Sequence, residues 1–154
     1  MRYKALAIDD EPLALRQLAT YISKVPFLEL SGECHSAQEA QTILDQDCVD
    51  VIFCDINMPD LNGMDFVKSL IAPPLVVFTT AYSEYAVEGF KVDAVDYLLK
   101  PFGMQDFLRA ANRVKSRMEG RAAAKSVDQQ PATAQSVASA PPPTVGYDDT
   151  LFVK

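Results

Sequence analysis

Apolar residues in this chain follow two alternating rhythms. Short, largely apolar runs, Tyr3 to Ile8, Phe27 to Gly32, Val49 to Cys54, Leu75 to Phe78 and Ala94 to Leu99, have the length of strands, and the nearly continuous first one suits a strand covered on both faces. Between them, apolar positions recur three and four apart. Leu15, Leu18, Ala19 and Ile22 follow Pro12, a residue suited to a first helical position. Further helices are predicted over Ala37 to Leu44, over Gly63 to Ile71 after a Pro59/Asn62-Gly63 turn, and over Ser83 to Phe90. A last one runs from Met104 to Met118, with Met104, Phe107, Leu108, Ala111, Val114 and Met118 on one face. Five strands alternating with five helices predict a doubly wound α/β domain with a parallel sheet, joined by short right-handed crossovers.

Four of the apolar runs stop at polar groups: Ala5 to Ile8 at Asp9-Asp10, Val51 to Cys54 at Asp55, Leu75 to Phe78 at Thr79-Thr80, and Ala94 to Leu99 at Lys100-Pro101. In an open parallel sheet the carboxyl ends share one rim, where ligands bind. These groups are therefore expected to form one site although they lie far apart in the chain. Asp9, Asp10 and Asp55 brought together would repel one another unless a cation offset their charge. Carboxylates without a nearby His or Cys favour a hard, oxygen-seeking ion, and Mg²⁺ is the expected one. An aspartate can also act as a nucleophile and form an aspartyl phosphate, with Thr80 and Lys100 as donors to the phosphoryl group. Each group taken singly has a simpler reading. Asp9, Asp10 or Glu11 before Pro12 could cap a helix, Asp55 to Gly63 could be turn chemistry, Thr80 another cap, and Lys100 a surface lysine.

Composition narrows the picture further. The chain has 154 residues and a net charge of -7, with a pI near 4.6. Such an acidic domain is not expected to grip nucleic acid unaided. No stretch approaches the roughly 18 apolar residues of a membrane span, and MRYKALAIDDEP lacks the pattern of a signal peptide. The reading is a soluble, cytoplasmic protein with no membrane association. Cys34, Cys48 and Cys54 lack CxxC spacing, so reduced thiols are expected rather than a disulfide framework or a zinc site. From Glu119 to Gly146 there is no Leu, Ile, Met, Phe, Tyr or Trp. Residues 119–146 therefore read as a flexible Ala/Ser/Gln/Pro-rich linker spanning roughly 30 Å root-mean-square. Apolar residues return in residues 147–154, which resemble a strand beginning as the chain stops.

The segments Ile8-Asp9-Asp10-Glu11, Cys54-Asp55-Ile56-Asn57-Met58-Pro59 with Gly63, Thr79-Thr80-Ala81 and Tyr97-Leu98-Leu99-Lys100-Pro101-Phe102 closely resemble the receiver domain of two-component response regulators, over roughly residues 1–118. The resemblance implies a five-stranded sheet in the order 2-1-3-4-5, as in flavodoxin and the chemotaxis receiver. It makes Asp55 the phosphoacceptor, and assigns Mg²⁺ to Asp9, Asp10, Asp55 and the backbone carbonyl of Asn57. Thr80 and Ala81 would bind the phosphoryl group, Lys100 would pair with it, Tyr97 would turn with the switch, and Lys100-Pro101 would be a cis peptide. A sensor histidine kinase would be the donor, because the single histidine, His35, lies off the rim. Such a domain is a regulatory phosphoacceptor rather than an enzyme acting on other molecules.

A finer similarity runs through Phe78 to Phe90 and Asp93 to Phe102, which look like receivers attached to LytTR-type DNA-binding domains. Residues 147–154 would be the truncated start of that domain, so that DNA would be reached only through it. Glu84 and Glu88 fall one turn apart on one predicted helix, while Arg109, Arg113 and Arg117 form an i, i+4, i+8 stripe on another. These faces are expected to meet in a phosphorylation-promoted homodimer, with two solvated faces as the simpler alternative. Two other readings stand beside the receiver. A haloacid dehalogenase-like phosphatase shares the residue types but would carry Asp-x-Asp after its first strand, where this chain has Asp9-Asp10-Glu11. A pseudo-receiver would bind a partner without being phosphorylated.

Overall fold

The computed structural model describes residues 2–82 and 93–128, with side chains as far as residue 121. Strands β1 (Tyr3–Ile8), β2 (Leu28–Cys34), β3 (Val51–Asp55), β4 (Leu75–Thr80) and β5 (Asp96–Leu99) form one sheet in the order β2-β1-β3-β4-β5. Every adjacent pair is parallel. Among the described residues the helices are α1 (Pro12–Lys24), α2 (Ala37–Gln46), α3 (Gly63–Ser69) and α4 (Met104–Asp128). This is the doubly wound α/β fold that the alternating pattern predicts. The helix expected over Ser83 to Phe90 lies outside the described residues.

Strand alternation divides the core into two layers. Leu6, Ile8, Ile52, Cys54, Val76 and Phe78 pack with Ala37 and Ala40 of α2 and Phe66 and Val67 of α3. The intervening residues Ala5, Ala7, Phe53 and Val77 are equally buried. They face the other way, where Phe53 stacks on Phe107 of α4 at 5.1 Å between ring centroids, and Tyr21 of α1 lies 5.5 Å from the same ring. The small alanines of β1 leave room for these rings. On α1, Leu15, Leu18, Ala19 and Ile22 are buried, as their spacing predicts.

Several boundaries differ from the sequence pattern. β2 runs to Cys34 rather than ending at Gly32, because the pairing with β1 jumps from Leu30 to Gly32 and absorbs an extra residue in a bulge. β3 and β4 include the polar residues Asp55, Thr79 and Thr80, since a strand continues as long as its backbone finds partners, whatever its side chains. Asp96 opens β5, later than Ala94. The buried stripe of α4 is Phe107, Ala110, Ala111 and Val114, whereas Leu108 is exposed. Ala110 lies three residues after Phe107 and four before Val114, on the same face of the helix, and takes the inward position for that reason. α4 also continues through Glu119 to Asp128, over residues such as Arg121, the three alanines at 122–124 and Lys125 that favour helix intrinsically.

The chain moves outward from β1 to β2 and then returns across β1 to β3. That reversal opens a crevice between the carboxyl ends of β1 and β3. Asp9 and Asp10 follow β1 and Asp55 ends β3, so topology alone brings the three carboxylates together.

Candidate functional site

Asp9 is 1% exposed. Its backbone N–H donates to the Cys34 carbonyl at 3.0 Å, continuing the β1–β2 ladder. Its Oδ1 accepts the Glu11 N–H at 3.0 Å, and its Oδ2 accepts from Lys100 Nζ at 2.8 Å. Asp55 is also buried. Its Oδ1 accepts the Asn57 N–H at 3.2 Å, and its Oδ2 lies 3.5 Å from the same ammonium. One oxygen from each of Asp9, Asp10 and Asp55 can be chosen so that all lie within 4.8 Å of one another. Glu11, the residue before α1, makes no side-chain cap bond.

Two features hold the loop after β3 in place. The Gly63 N–H donates to the Ile56 carbonyl at 2.7 Å, and a Cβ at Gly63 would fall 2.3 Å from the Asp55 carbonyl oxygen. Only glycine permits that approach, so the start of α3 closes directly beneath Asp55. Asn62 caps α3 by accepting the Met64 N–H at 2.8 Å. Asp60, which the sequence pattern marks only as a turn residue, accepts the Ala37 N–H at 3.1 Å and ties the loop to the first turn of α2.

On the neighbouring strand, Thr80 is buried. Its Oγ1 accepts the Tyr82 N–H at 3.0 Å and donates to Asn57 Oδ1 at 3.4 Å. Ala81 is exposed just past β4. The Lys100–Pro101 peptide is cis, as expected. Tyr97 is half-buried, with its ring centroid 5.5 Å from that of Phe78.

Electrostatics separates the roles of these groups. Burial, reinforced by the charge of Asp9, pushes the Asp55 carboxyl up to about 7, although Lys100 and the Asn57 N–H oppose the rise. Burial alone would lower Lys100. The hydrogen bond to Asp9 and the charges of Asp55, Asp9 and Glu11 outweigh it, and the ammonium is held above its usual range. Three carboxylates against one ammonium leave an excess of two negative charges when all are ionised. That excess and the all-oxygen donor set fit a hard divalent cation.

The predicted residues outside this cluster fall elsewhere. Arg109 Nε and Arg113 Nη1 both pair with Asp96 of β5, at 3.1 and 3.2 Å. Sequence spacing missed that partner because it lies on another element. Arg117 is exposed, and Glu84 and Glu88 lie outside the described residues. The His35 backbone N–H donates to Glu39 Oε1 at 2.9 Å, and Nδ1 of its exposed ring lies 3.6 Å from the same oxygen. Cys34, Cys48 and Cys54 are free thiols. Burial pushes Cys34 up to about 11 and raises Cys54 as well, which keeps both protonated and unreactive.

A family model described as the response regulator receiver domain matches residues 5–112. The transcriptional regulatory protein LytR of Staphylococcus aureus is 37% identical over 116 residues, covering 73% of this chain and 47% of that protein. The sensory transduction protein LytT of Bacillus cereus is 35% identical over 121 residues, covering 77% and 49%. The chain thus spans about half the length of these curated relatives. Among solved structures, the response regulatory domain of protein mrkE from Klebsiella pneumoniae is similar with a TM-score of 0.68 and 31% identity, covering 76% of this chain and 98% of that one. The chemotaxis response regulator CheY4 of Vibrio cholerae is similar at 0.65 and 26%, covering 74% and 99%.

Proposed function

The chain belongs to the family of response regulator receiver domains, and we propose that it accepts a phosphoryl group on Asp55 from a phosphohistidine of a sensor histidine kinase. The observation that carries this reading is a buried carboxylate, at the topological switch point, within ion-pair reach of Lys100. One carboxylate oxygen of Asp55 would attack phosphorus, forming a P–O bond as the P–N bond to the donor imidazole breaks. Asp9, Asp10, Asp55 and the backbone carbonyl of Asn57 would hold Mg²⁺, which neutralises charge on carboxylates and phosphoryl oxygens. Lys100, hydrogen-bonded to Asp9 in the described state, supplies positive charge on the other side of Asp55. The backbone N–H of Ala81 and the hydroxyl of Thr80 are the donors for the phosphoryl oxygens.

In the same reading Thr80 is the switch. Its bond to Asn57 is long and readily exchanged for a charge-assisted one to a phosphoryl oxygen. Movement of Thr80 would vacate space for Tyr97, which packs against Phe78 behind it. Residues 1–118 would form the receiver and 119–146 the connection, with α4 continuing through its first part. Residues 147–154 would begin a LytTR-type DNA-binding domain, making transcription the output. The relation to LytR and LytT supports that assignment.

Acetyl phosphate with Mg²⁺ tests the core of the proposal. Intact mass spectrometry should show one added phosphoryl group, absent in Asp55→Asn and absent after chelation. Steady turnover of simple phosphomonoesters would instead point to a phosphatase, and the lack of any adduct to a pseudo-receiver.

A further inference from the structure

A cleft of about 550 Å³ lies at the end of the sheet away from the carboxylate rim, between the connection from α2 to β3 and the segment joining α3 to β4. Its size falls within the range of ligand sites, roughly 300–1,000 Å³. Phosphoacceptance makes no use of it.

Part of the lining is apolar. Leu44, Val49 and Leu70 line the cleft while packing partly against the core. Ile71 lines it as well and is 102% exposed. A docked apolar side chain would take that isoleucine, and the wall beside it, out of water.

The charged part has one sign. Asp45, Asp47 and Asp50 line the cleft, and no Lys or Arg does. Lys4 engages Asp47 at 3.0 Å, so the three acids against this one ammonium leave an excess of two negative charges. Asp45 gives one oxygen to the Gln41 amide, and Asp50 gives one to the Lys4 backbone N–H. The second oxygen of each has no protein partner among the described residues.

Charge and chemistry together select the occupant. An anion would meet three carboxylates, and an uncharged body would leave the excess charge unopposed. A guanidinium brings five N–H donors in a planar fork, on a stem that lies along apolar surface. Its apolar neighbour must sit beside it to cover Ile71, which calls for adjacent residues of one chain.

We propose that this cleft docks a segment of a partner protein that carries an arginine next to a branched apolar residue, the guanidinium on Asp45 and Asp50 and the apolar side chain on Ile71. The rim at Asp55 stays open while the cleft is filled. Binding therefore does not depend on the phosphoacceptor reading.

The test is an NMR titration of the full chain with acetyl-Leu-Arg-Leu-amide and with the same peptide carrying citrulline, the uncharged isostere of arginine. Saturable shifts at Cys48, Val49, Ile71 and Ala72 are expected. The arginine peptide should bind roughly three- to tenfold tighter, the scale of two exposed ion pairs, and that margin should shrink in high salt. Asp45→Asn combined with Asp50→Asn keeps the acceptor oxygens for Gln41 and Lys4 and should erase the preference. Ile71→Ser, at an exposed position where folding is not at stake, should weaken both peptides. Shifts that stay linear to the highest concentration overturn the proposal, as do shifts spread evenly over the acidic surface or an arginine preference that survives the double Asn variant. Concentration-dependent shifts at the same residues in the peptide-free chain would make a second copy the occupant, through an exposed arginine such as Arg117, and overturn the choice of partner. Repeating the titration on Asp55→Asn should give the same affinities, which separates this result from any failure of phosphorylation.

Discussion

The Asp55 carboxyl rises from an ordinary value of 3.8 to about 7, first through burial and then through the charge of Asp9. Its folded value lies above its unfolded one, so folding takes up a proton between the two. The resulting contribution to stability is fully present below about pH 4 and is lost as pH rises through 7. The metal-free chain is therefore expected to lose resistance to urea between about pH 4 and 7, while Asp55→Asn shows a flatter profile. Mg²⁺ should flatten the wild-type profile too, because the cation favours the ionised carboxylates. Parallel urea curves for the two proteins at every pH would contradict this. Lys100 acts in the opposite direction, since its charge lowers Asp55. Lys100→Met should move the Asp55 midpoint upward in a carbon-detected carboxyl titration and slow phosphorylation by acetyl phosphate. Asp9, Asp55, Thr80 and Lys100 were all legible as strand-end polar residues. Thr79 was not distinguishable from Thr80 by position alone, because two consecutive threonines differ only in the face of the sheet they occupy.

Elements carry the next level of argument. The contact between Gly63 at the start of α3 and the end of β3 has no room for a methyl group: the Asp55 carbonyl would lie 2.3 Å away and Ile56 Cα 3.0 Å. Both obstacles are backbone, so they cannot step aside as a side-chain tip would. Gly63→Ala is expected to cost about 1–3 kcal/mol in chemical denaturation and to depress phosphorylation by displacing Asp55. Unchanged stability would show that the loop relaxes freely. On the opposite face Phe107 is fully buried and stacked on Phe53, and Phe107→Ala should cost about 3–5 kcal/mol. Periodicity located α1 and its buried face because Leu15, Leu18, Ala19 and Ile22 recur three and four apart along one side. It was less successful on α4, where Leu108 is exposed and Ala110 buried. Hydrophobicity ranks leucine above alanine, but the position on the helix decides which of them faces the sheet.

For the whole molecule, Arg109 and Arg113 deserve comparison with the face proposed for self-association. Both are anchored on Asp96, yet their side chains remain 44% and 56% exposed. Anchoring reduces the side-chain entropy lost when a partner's acids arrive. The beryllofluoride- and Mg²⁺-bound chain is expected to sediment as a dimer, and Asp96→Ala to weaken that dimer; a monomer at high concentration would remove the proposal. The pattern of apolar runs by itself determined the fold class, because runs and spacings record which faces must leave water. It also determined which residue types stand at the strand ends. Strand order was implied by the family resemblance rather than by any run, and the structure shows β1 at the reversal between β2 and β3. Only the tertiary structure decided that Lys100 reaches Asp9 and approaches Asp55, that Gly63 lies beneath Asp55 and that Asp96 gathers two arginines. Those contacts join residues on separate elements, and their distances follow from sheet register and helix approach, which no local spacing encodes.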